Sequence, residues 1–274
     1  MDAFDKIIGY SSIKEELRQI GDTLKHREFY DKLGVRTPRG LLLCGEPGVG
    51  KSLMANALIR DSGRRAFCCR KDVPGGDFVK KIKKVFDAAL QNEPSVVCLE
   101  DMDKFSDTDE FHPDTEEYVT VQSCLDQVRE KQIFVLATVN SIRSLPPSLC
   151  RAGRFDRVIV VKPPRGQDAV GIAAHYLQAK SHMDRLDPQI IAKIMDGRSC
   201  AELEAVINQA GLYAGYERAD RISMEHVLRA CAQTLFNTTA QARDGQEDIS
   251  LSRCQTITAP AQLIYHEAGH AAVS

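Results

Sequence analysis

The stretch Leu41-Leu-Leu-Cys-Gly-Glu-Pro-Gly-Val-Gly-Lys-Ser52 decides the fold. It opens with a short apolar run typical of a buried strand, and residues 53–59 continue with a helical pattern. Residues 45–52 have the spacing Gly-x-x-x-x-Gly-Lys-Ser of a phosphate-binding loop between a strand and a helix. Its glycines let backbone N–H groups surround phosphate oxygens, and the helix N-terminus favours negative charge. The sequence therefore predicts a nucleotide site, in which Lys51 reaches the β- and γ-phosphates and the Ser52 hydroxyl binds Mg²⁺.

Short apolar runs of β type recur in the first 161 residues and alternate with helical patterns. The runs lie at 66–69, 96–99, 133–139 and 158–161, and the intervening helical patterns are clearest at 78–89 and 119–128. Strands that alternate with helices predict an α/β domain with a parallel sheet.

After residue 163 the strand-like runs disappear and helical patterns take over. These patterns lie at 167–179, 187–195, 200–215 and 223–235. Ser199 with Glu202 predicts a capping box for the third of them, as Ser12 with Glu15 does for the first helix of the chain. We therefore predict a large α/β domain, a small all-helical domain, a polar linker and the start of a third domain. Their predicted bounds are 1–163, 164–237, 238–257 and 258–274.

The composition is that of an ordinary water-soluble globular protein, with 43% hydrophobic and 27% charged residues. A net charge of −2 argues against a nucleic-acid partner, which usually requires a basic surface. The nine cysteines include no Cys-x-x-Cys pair, so they favour reduced, cytoplasmic conditions. The longest apolar runs are far shorter than the roughly 20 residues of a membrane-spanning helix.

An acidic pair, Glu100 and Asp101, directly follows the apolar run at residues 96–99. Carboxylates at the end of a buried strand are costly unless they serve a cation or a reaction. One of them is expected to hold Mg²⁺ and the other to orient or deprotonate the attacking water. The alternative is a strand that ends in a solvated acidic turn.

Two further groups suit a nucleotide site. Asn140 ends the apolar run at 133–139, where its amide could contact the γ-phosphate, although asparagine is common at strand ends. Arg151 and Arg154 lie on a glycine-containing turn and could contact phosphate in a bidentate manner. Surface salt bridges are the alternative for these arginines.

The order of these motifs resembles the AAA+ ATPases, and most specifically the FtsH-type ATP-dependent zinc metalloproteases. The resemblance includes residues 4–9, the phosphate-binding loop, the acidic strand end and the segment Arg151-Ala-Gly-Arg-Phe-Asp-Arg157. It continues through residues 197–203 to Tyr265-His-Glu-Ala-Gly-His270 near the end of the chain.

The resemblance implies a role for each matching residue. Glu100 and Asp101 take the Walker B positions, Asn140 takes sensor 1, and Arg151 and Arg154 match arginine fingers that act on a neighbouring subunit in a homo-hexamer. The residues implied in binding ATP are Ile8, Gly9, Gly45, Pro47, Gly48, Val49, Gly50, Lys51, Ser52, Leu53 and His175. Ser52 and Glu100 are the implied ligands of Mg²⁺.

Two departures from the family pattern bear on activity. The Walker B pair is usually Asp followed by Glu, and here the order is inverted, so Asp101 is one methylene shorter than the usual base. The family's aromatic pore loop has its nearest counterpart at Gly76-Asp-Phe-Val-Lys80. Phe78 could grip substrate there, or it could pack in a helix, since it shares an apolar stripe with residues 82–86.

His266 and His270 lie four residues apart, hence on one helical face, where they can share Zn²⁺ with Glu267 as general base. A catalytic zinc needs three protein ligands. The family's third ligand is an acidic residue farther downstream, and the sequence ends at Ser274. We therefore expect a chain that stops just after this motif and has no peptidase activity of its own.

The sequence thus predicts an ATP-hydrolysing motor that unfolds and translocates protein substrates for an FtsH-like protease. The alternative is a slowly cycling, nucleotide-dependent assembly scaffold without threading activity. ATP and Mg²⁺ are the expected cofactors, with Zn²⁺ only in a full-length protein. The membrane anchor of the family is not expected in this chain.

Overall fold

The computed structural model describes residues 2–106, 115–151 and 153–244, with side chains described as far as residue 236. The chain divides into two compact units between Lys162 and Pro163.

The first unit is built on a parallel sheet of five strands within the described residues, in the order β2-β3-β4-β1-β5. The strands are β1 (Gly40–Cys44), β2 (Arg65–Cys69), β3 (Ser95–Leu99), β4 (Ile133–Val139) and β5 (Arg157–Val160). Strands β1, β3 and β4 are buried along their whole length, which explains why they read as continuous apolar runs rather than alternating ones. The predicted α/β fold with a parallel sheet is confirmed.

Helices connect the strands as the sequence predicts. They are α1 (Ser11–Lys25), α2 (Arg27–Lys32), α3 (Lys51–Ser62), α4 (Gly75–Leu90) and α5 (Glu116–Gln127). The predicted capping box at Ser12 is wrong, because α1 already begins at Ser11 and Tyr10 precedes it in a left-handed conformation.

A buried apolar cluster of the first unit packs α4 and α5 against the sheet, and Phe78 belongs to it. Its side chain is 0% exposed, and its ring meets the ring of Phe105 edge to face at a centroid distance of 4.7 Å. Such aromatic pairs stabilise beyond the area that they bury. Phe78 is therefore a core residue, and this burial argues against a role as an exposed pore residue.

We expect Phe78→Ala to lower the free energy of unfolding by about 3–5 kcal/mol, because it leaves a cavity beneath α4. Denaturant unfolding followed by circular dichroism measures the change. Val73→Ala, on the exposed segment just before α4, is the matched control, and we expect it to cost less than about 0.5 kcal/mol. Equal midpoints for the two variants would contradict the core assignment.

The described part of the second unit is mostly helical. It contains α6 (Gln167–Gln178), α7 (Pro188–Ile194), α8 (Cys200–Tyr216) and α9 (Met224–Asp244). The capping box of α8 is present as predicted, since the Ser199 hydroxyl accepts from the Glu202 N–H while the Glu202 carboxylate accepts from the Ser199 N–H.

Helix α9 corrects one boundary. The polar composition places residues 238–257 in a linker, but α9 continues through Asp244. Residues 238–244 contain neither glycine nor proline and include the good helix formers alanine, glutamine and arginine, so nothing in them stops the helix. None of the described helices is both long and apolar enough to cross a membrane.

Candidate nucleotide site

The loop between β1 and α3 is compact and depends on glycine. The Gly45 N–H donates to the Val139 carbonyl at 3.2 Å, and a Cβ on Gly45 would lie 2.1 Å from the Val161 carbonyl oxygen. Gly48 and Gly50 have φ angles of 81° and 97°, in the left-handed region that favours glycine. These constraints turn the chain sharply from the strand into the N-terminus of α3, as a phosphate-binding loop requires.

The remaining predicted loop residues divide into buried and accessible ones. Val49 is buried and anchors the loop, whereas Pro47, Ser52 and Leu53 are exposed. The Ser52 hydroxyl is therefore accessible to a ligand at the first turn of α3.

The Lys51 side chain crosses the loop beneath its backbone. Its Nζ donates to the carbonyl of Gly45 at 2.6 Å, to that of Glu46 at 3.0 Å and to Oδ1 of Asn140 at 3.0 Å. Burial lowers the pKa of this ammonium, and the charges of Asp101 and Asp103 oppose that shift. The predicted loop cation and the predicted strand-end amide thus meet at the carboxyl edge of the sheet.

Asp103 holds Asn140 in this position, a role that sequence reasoning did not assign. Its carboxylate accepts from the Asn140 side-chain amide at 2.7 Å and from the Asn140 backbone N–H at 3.2 Å. With its amide nitrogen bound, the Asn140 oxygen is turned toward Lys51. The signal in the sequence was a third acid two residues after Asp101, at a spacing that the turn after β3 explains.

Asp101 follows β3 in the left-handed conformation, with a φ of 53°. Its backbone N–H donates to the hydroxyl of Thr138 at 2.9 Å, and its carboxylate accepts from Lys104 at the same distance. Thr138 is buried on the neighbouring strand β4, so it fixes the turn that presents Asp101. Thr138 is a second positioning residue that sequence reasoning missed.

The Glu100 carboxylate lies in a different environment from those of Asp101 and Asp103. Its oxygen and the sulfurs of Cys68 and Cys98 all lie within 4.8 Å of one another. A hydrogen bond from Cys98 lowers the pKa of Cys68 to about 7, whereas that bond together with burial raises the pKa of Cys98. The two residues of the acidic pair thus face different partners.

The two predicted arginine fingers also differ. Arg154 binds both carboxylate oxygens of Asp126, at 3.1 and 2.7 Å, and donates to the Ser148 carbonyl at 2.8 Å. These hydrogen bonds, and secondarily the charge of Arg154, hold the pKa of Asp126 below its usual value. Arg151 is exposed to solvent after a short 3₁₀ helix, Pro147–Cys150. In this conformation Arg151 is the accessible guanidinium, and Arg154 links its turn to α5.

Three of the residues implied in binding ATP lie outside the loop between β1 and α3. Ile8 and Gly9 are half-buried in the segment before α1, where the Tyr10 hydroxyl donates to the Lys162 carbonyl at 2.9 Å. His175 is exposed on α6, in the second unit. The predicted zinc residues His266, Glu267 and His270 lie outside the described residues.

The fold agrees with the comparison to known protein families. Residues 41–163, a range that includes nearly all of β1 and the rest of the sheet, match the ATPase family associated with various cellular activities (AAA). Residues 41–163 are an AAA ATPase domain. This AAA domain has the strand–loop–helix unit, the acidic turn after β3 and the polar end of β4 that its sequence predicted.

The similarity extends along nearly the whole chain. The ATP-dependent zinc metalloprotease FtsH of Caldicellulosiruptor bescii is 32% identical over 98% of this chain and 44% of its own length. FtsH 3 of Symbiobacterium thermophilum is 31% identical with the same coverage, and the YME1 homolog of Caenorhabditis elegans is 30% identical over 99% of this chain and 38% of its own length. The predicted resemblance to FtsH-type proteins is confirmed, and the chain spans less than half the length of these relatives.

Proposed function

We propose that this chain binds and hydrolyses ATP and works as the motor of a protein-unfolding machine linked to zinc-dependent proteolysis. The observation that carries the proposal is the meeting of Lys51 and Asn140 at the phosphate-binding loop, with Asp103 holding the amide. A buried ammonium and a fixed amide beside a helix N-terminus suit the anionic end of a nucleoside triphosphate.

The residues present also fit a magnesium ion bound with the nucleotide. The Ser52 hydroxyl is accessible, and the acidic turn at residues 100–103 supplies the hard oxygen ligands that Mg²⁺ prefers. When bound, this ion would neutralise charge that develops on the phosphate oxygens. Glu100 stays the predicted ligand, although its carboxylate lies beside two thiols in this structure.

Asp101 is the proposed base or water-positioning group for hydrolysis. Thr138 fixes its backbone, and Lys104 binds its carboxylate at 2.9 Å in an exposed pair. Exposed pairs of this kind contribute little to stability, so the carboxylate can exchange Lys104 for a water molecule at low cost. A short aspartate in this position is consistent with slow turnover.

We propose that the chain works in a homo-hexamer, in which Arg151 is the guanidinium that reaches the nucleotide of the neighbouring subunit and Arg154 holds its turn within its own chain. Arg151→Ala should then lower ATP turnover by about 10³-fold, the usual effect of losing an arginine that stabilises the transferred phosphate. It should also remove the rise of turnover with protein concentration. Steady-state ATPase assays over a range of protein concentrations measure this effect.

Arg154→Ala is the matched comparison, since Arg154 binds Asp126 within its own chain. We expect it to lower thermal stability and to lower turnover only through that loss. If Arg154→Ala removes the concentration dependence while Arg151→Ala retains it, the two roles are reversed.

The substrates that follow from the proposal are unfolded proteins. The relatives are by name ATP-dependent zinc metalloproteases, and the pair His266 and His270 with Glu267 has the spacing of a zinc-hydrolase helix. Zn²⁺ would serve a protease domain of which these residues are the beginning. None of the cysteines in the described residues forms a disulfide bond, which suits the reduced conditions of a cytoplasmic machine.

A slowly cycling assembly scaffold is the second candidate, and one observation favours it. Phe78, the nearest counterpart of a pore aromatic, is buried in the core. Single-turnover and steady-state assays separate the candidates. Turnover that rises with self-association supports the motor, whereas tight nucleotide binding without turnover supports the scaffold.

A further inference from the structure

Three potential metal ligands meet where β2 and β3 end. Cys68 and Cys98 are direct partners in the parallel pairing of these strands, so both side chains project from the same face of the sheet. Glu100 follows Cys98 by two residues and therefore returns to that face. Cys68 is exposed, Glu100 is half-buried and Cys98 is buried.

The donor set determines which ion would suit the cluster. Two sulfurs and a carboxylate oxygen within 4.8 Å of one another can approach a single ion with modest side-chain adjustment. Thiolates select soft or borderline ions such as Zn²⁺ over Mg²⁺. The exposed side at Cys68 leaves a fourth position open to solvent, as in tetrahedral zinc sites with three protein ligands.

We propose that Cys68, Cys98 and Glu100 form a binding site for a thiophilic divalent cation, of which Zn²⁺ is the main example. The site shares no residue with the predicted pair His266 and His270. An ion bound here would displace the thiol protons, and the two thiolates and the carboxylate would then balance the charge of the dication.

One consequence rests on the function proposed above. Glu100 is the predicted Mg²⁺ ligand of the ATPase, and a zinc ion held with Cys68 and Cys98 would keep this carboxylate from that task. Zinc would then inhibit ATP hydrolysis by occupying Glu100. ATP hydrolysis would therefore depend on zinc, or on the state of the Cys68 and Cys98 thiols, because these residues and Glu100 lie together where β2 and β3 end.

Cadmium titration of the complete chain tests the site without nucleotide. The protein is kept reduced with a phosphine and metal-free before Cd²⁺ is added, and the sulfur-to-cadmium charge-transfer absorption is recorded in the ultraviolet. We expect saturation at one equivalent. Because this absorption needs sulfur ligands, an ion bound only by His266 and His270 does not contribute to it. Zn²⁺ affinity then follows from competition with a chromogenic chelator in a background in which both histidines are replaced by alanine.

The variants Cys68→Ser and Cys98→Ala should each weaken Cd²⁺ binding by at least about 100-fold, and Glu100→Gln by about 10-fold or more. Cys200→Ser, on the second unit, is the control and should bind as the wild type does. Circular dichroism identifies any variant that fails to fold, and Cys68→Ser changes an exposed position. Binding that persists in Cys68→Ser, or that requires two chains for each ion, would overturn the proposal.

A separate assay tests the consequence for the ATPase. Cys68→Ser should keep basal turnover while losing inhibition by Zn²⁺. If Cd²⁺ binds the wild type as expected but Zn²⁺ leaves turnover unchanged, the metal site stands and the role of Glu100 in the ATPase is wrong.

Discussion

Lys51→Met should abolish ATP binding and turnover while the protein stays folded. The Lys51 ammonium is buried and makes three hydrogen bonds, so it is the fixed positive charge of the proposed phosphate site. Loss of a positioned charge of this kind costs about 10²–10³-fold or more in turnover. Methionine retains the length and apolar stem, so the loss reports on the charge.

The effect of Lys51→Met on stability should be small by comparison. Burial lowers the pKa of Lys51, because removing the charged ammonium from water is unfavourable. The buried charge therefore lowers the free energy of unfolding. The Glu46 carbonyl can turn to solvent, because Glu46 is exposed. We expect a change of no more than about 2 kcal/mol in the free energy of unfolding.

Fluorescent-nucleotide binding, ATPase assays and thermal melting measure the three quantities on one preparation. Lys80→Met, at an exposed lysine on α4, is the matched control and should behave as the wild type. ATP turnover within threefold of wild type in Lys51→Met would place the nucleotide elsewhere.

Asp101→Asn should lower ATP turnover by about 10²–10⁴-fold, the usual contribution of a positioned general base, while nucleotide binding is retained. Asparagine is the appropriate replacement for two reasons. It has the size of aspartate, and it tolerates the left-handed backbone at this position, where φ is 53°. An alanine there would add backbone strain and confuse the result.

Asp101→Glu completes the test, because it keeps a carboxylate and lengthens the side chain by one methylene, to that of the glutamate that the related ATPases usually have. If the inverted acidic pair limits the rate, glutamate should recover or raise turnover relative to asparagine, after a modest cost for its left-handed backbone. Turnover that is unchanged in Asp101→Asn, with turnover lost in Glu100→Gln, would move the base to Glu100.

The sequence predicted the fold of the first unit well because the signals are local. The strands β1, β3 and β4 are buried on both faces, so each is a continuous apolar run that stands out in the sequence. The phosphate-binding loop was equally visible, since its glycines are required by backbone geometry within eight residues. Local signals were weaker for α9, where polar residues that favour helix resembled a linker.

The partners of the site residues depend on strand register instead. Asp103 and Asn140 are far apart in the chain and meet because β3 and β4 are neighbours in the sheet. The same pairing places the Thr138 hydroxyl against the backbone of Asp101. No periodicity in the sequence reports which strands are adjacent, so these positioning contacts could not be predicted.

The sequence by itself determined that the chain has a phosphate-binding loop on a parallel α/β sheet, because backbone requirements and apolar runs are written in consecutive residues. Tertiary structure decided what each charged or polar group can do. It buried Phe78, bound Arg154 to Asp126 and brought Cys68 to Cys98 and Glu100, since packing and register join segments that are distant in the chain.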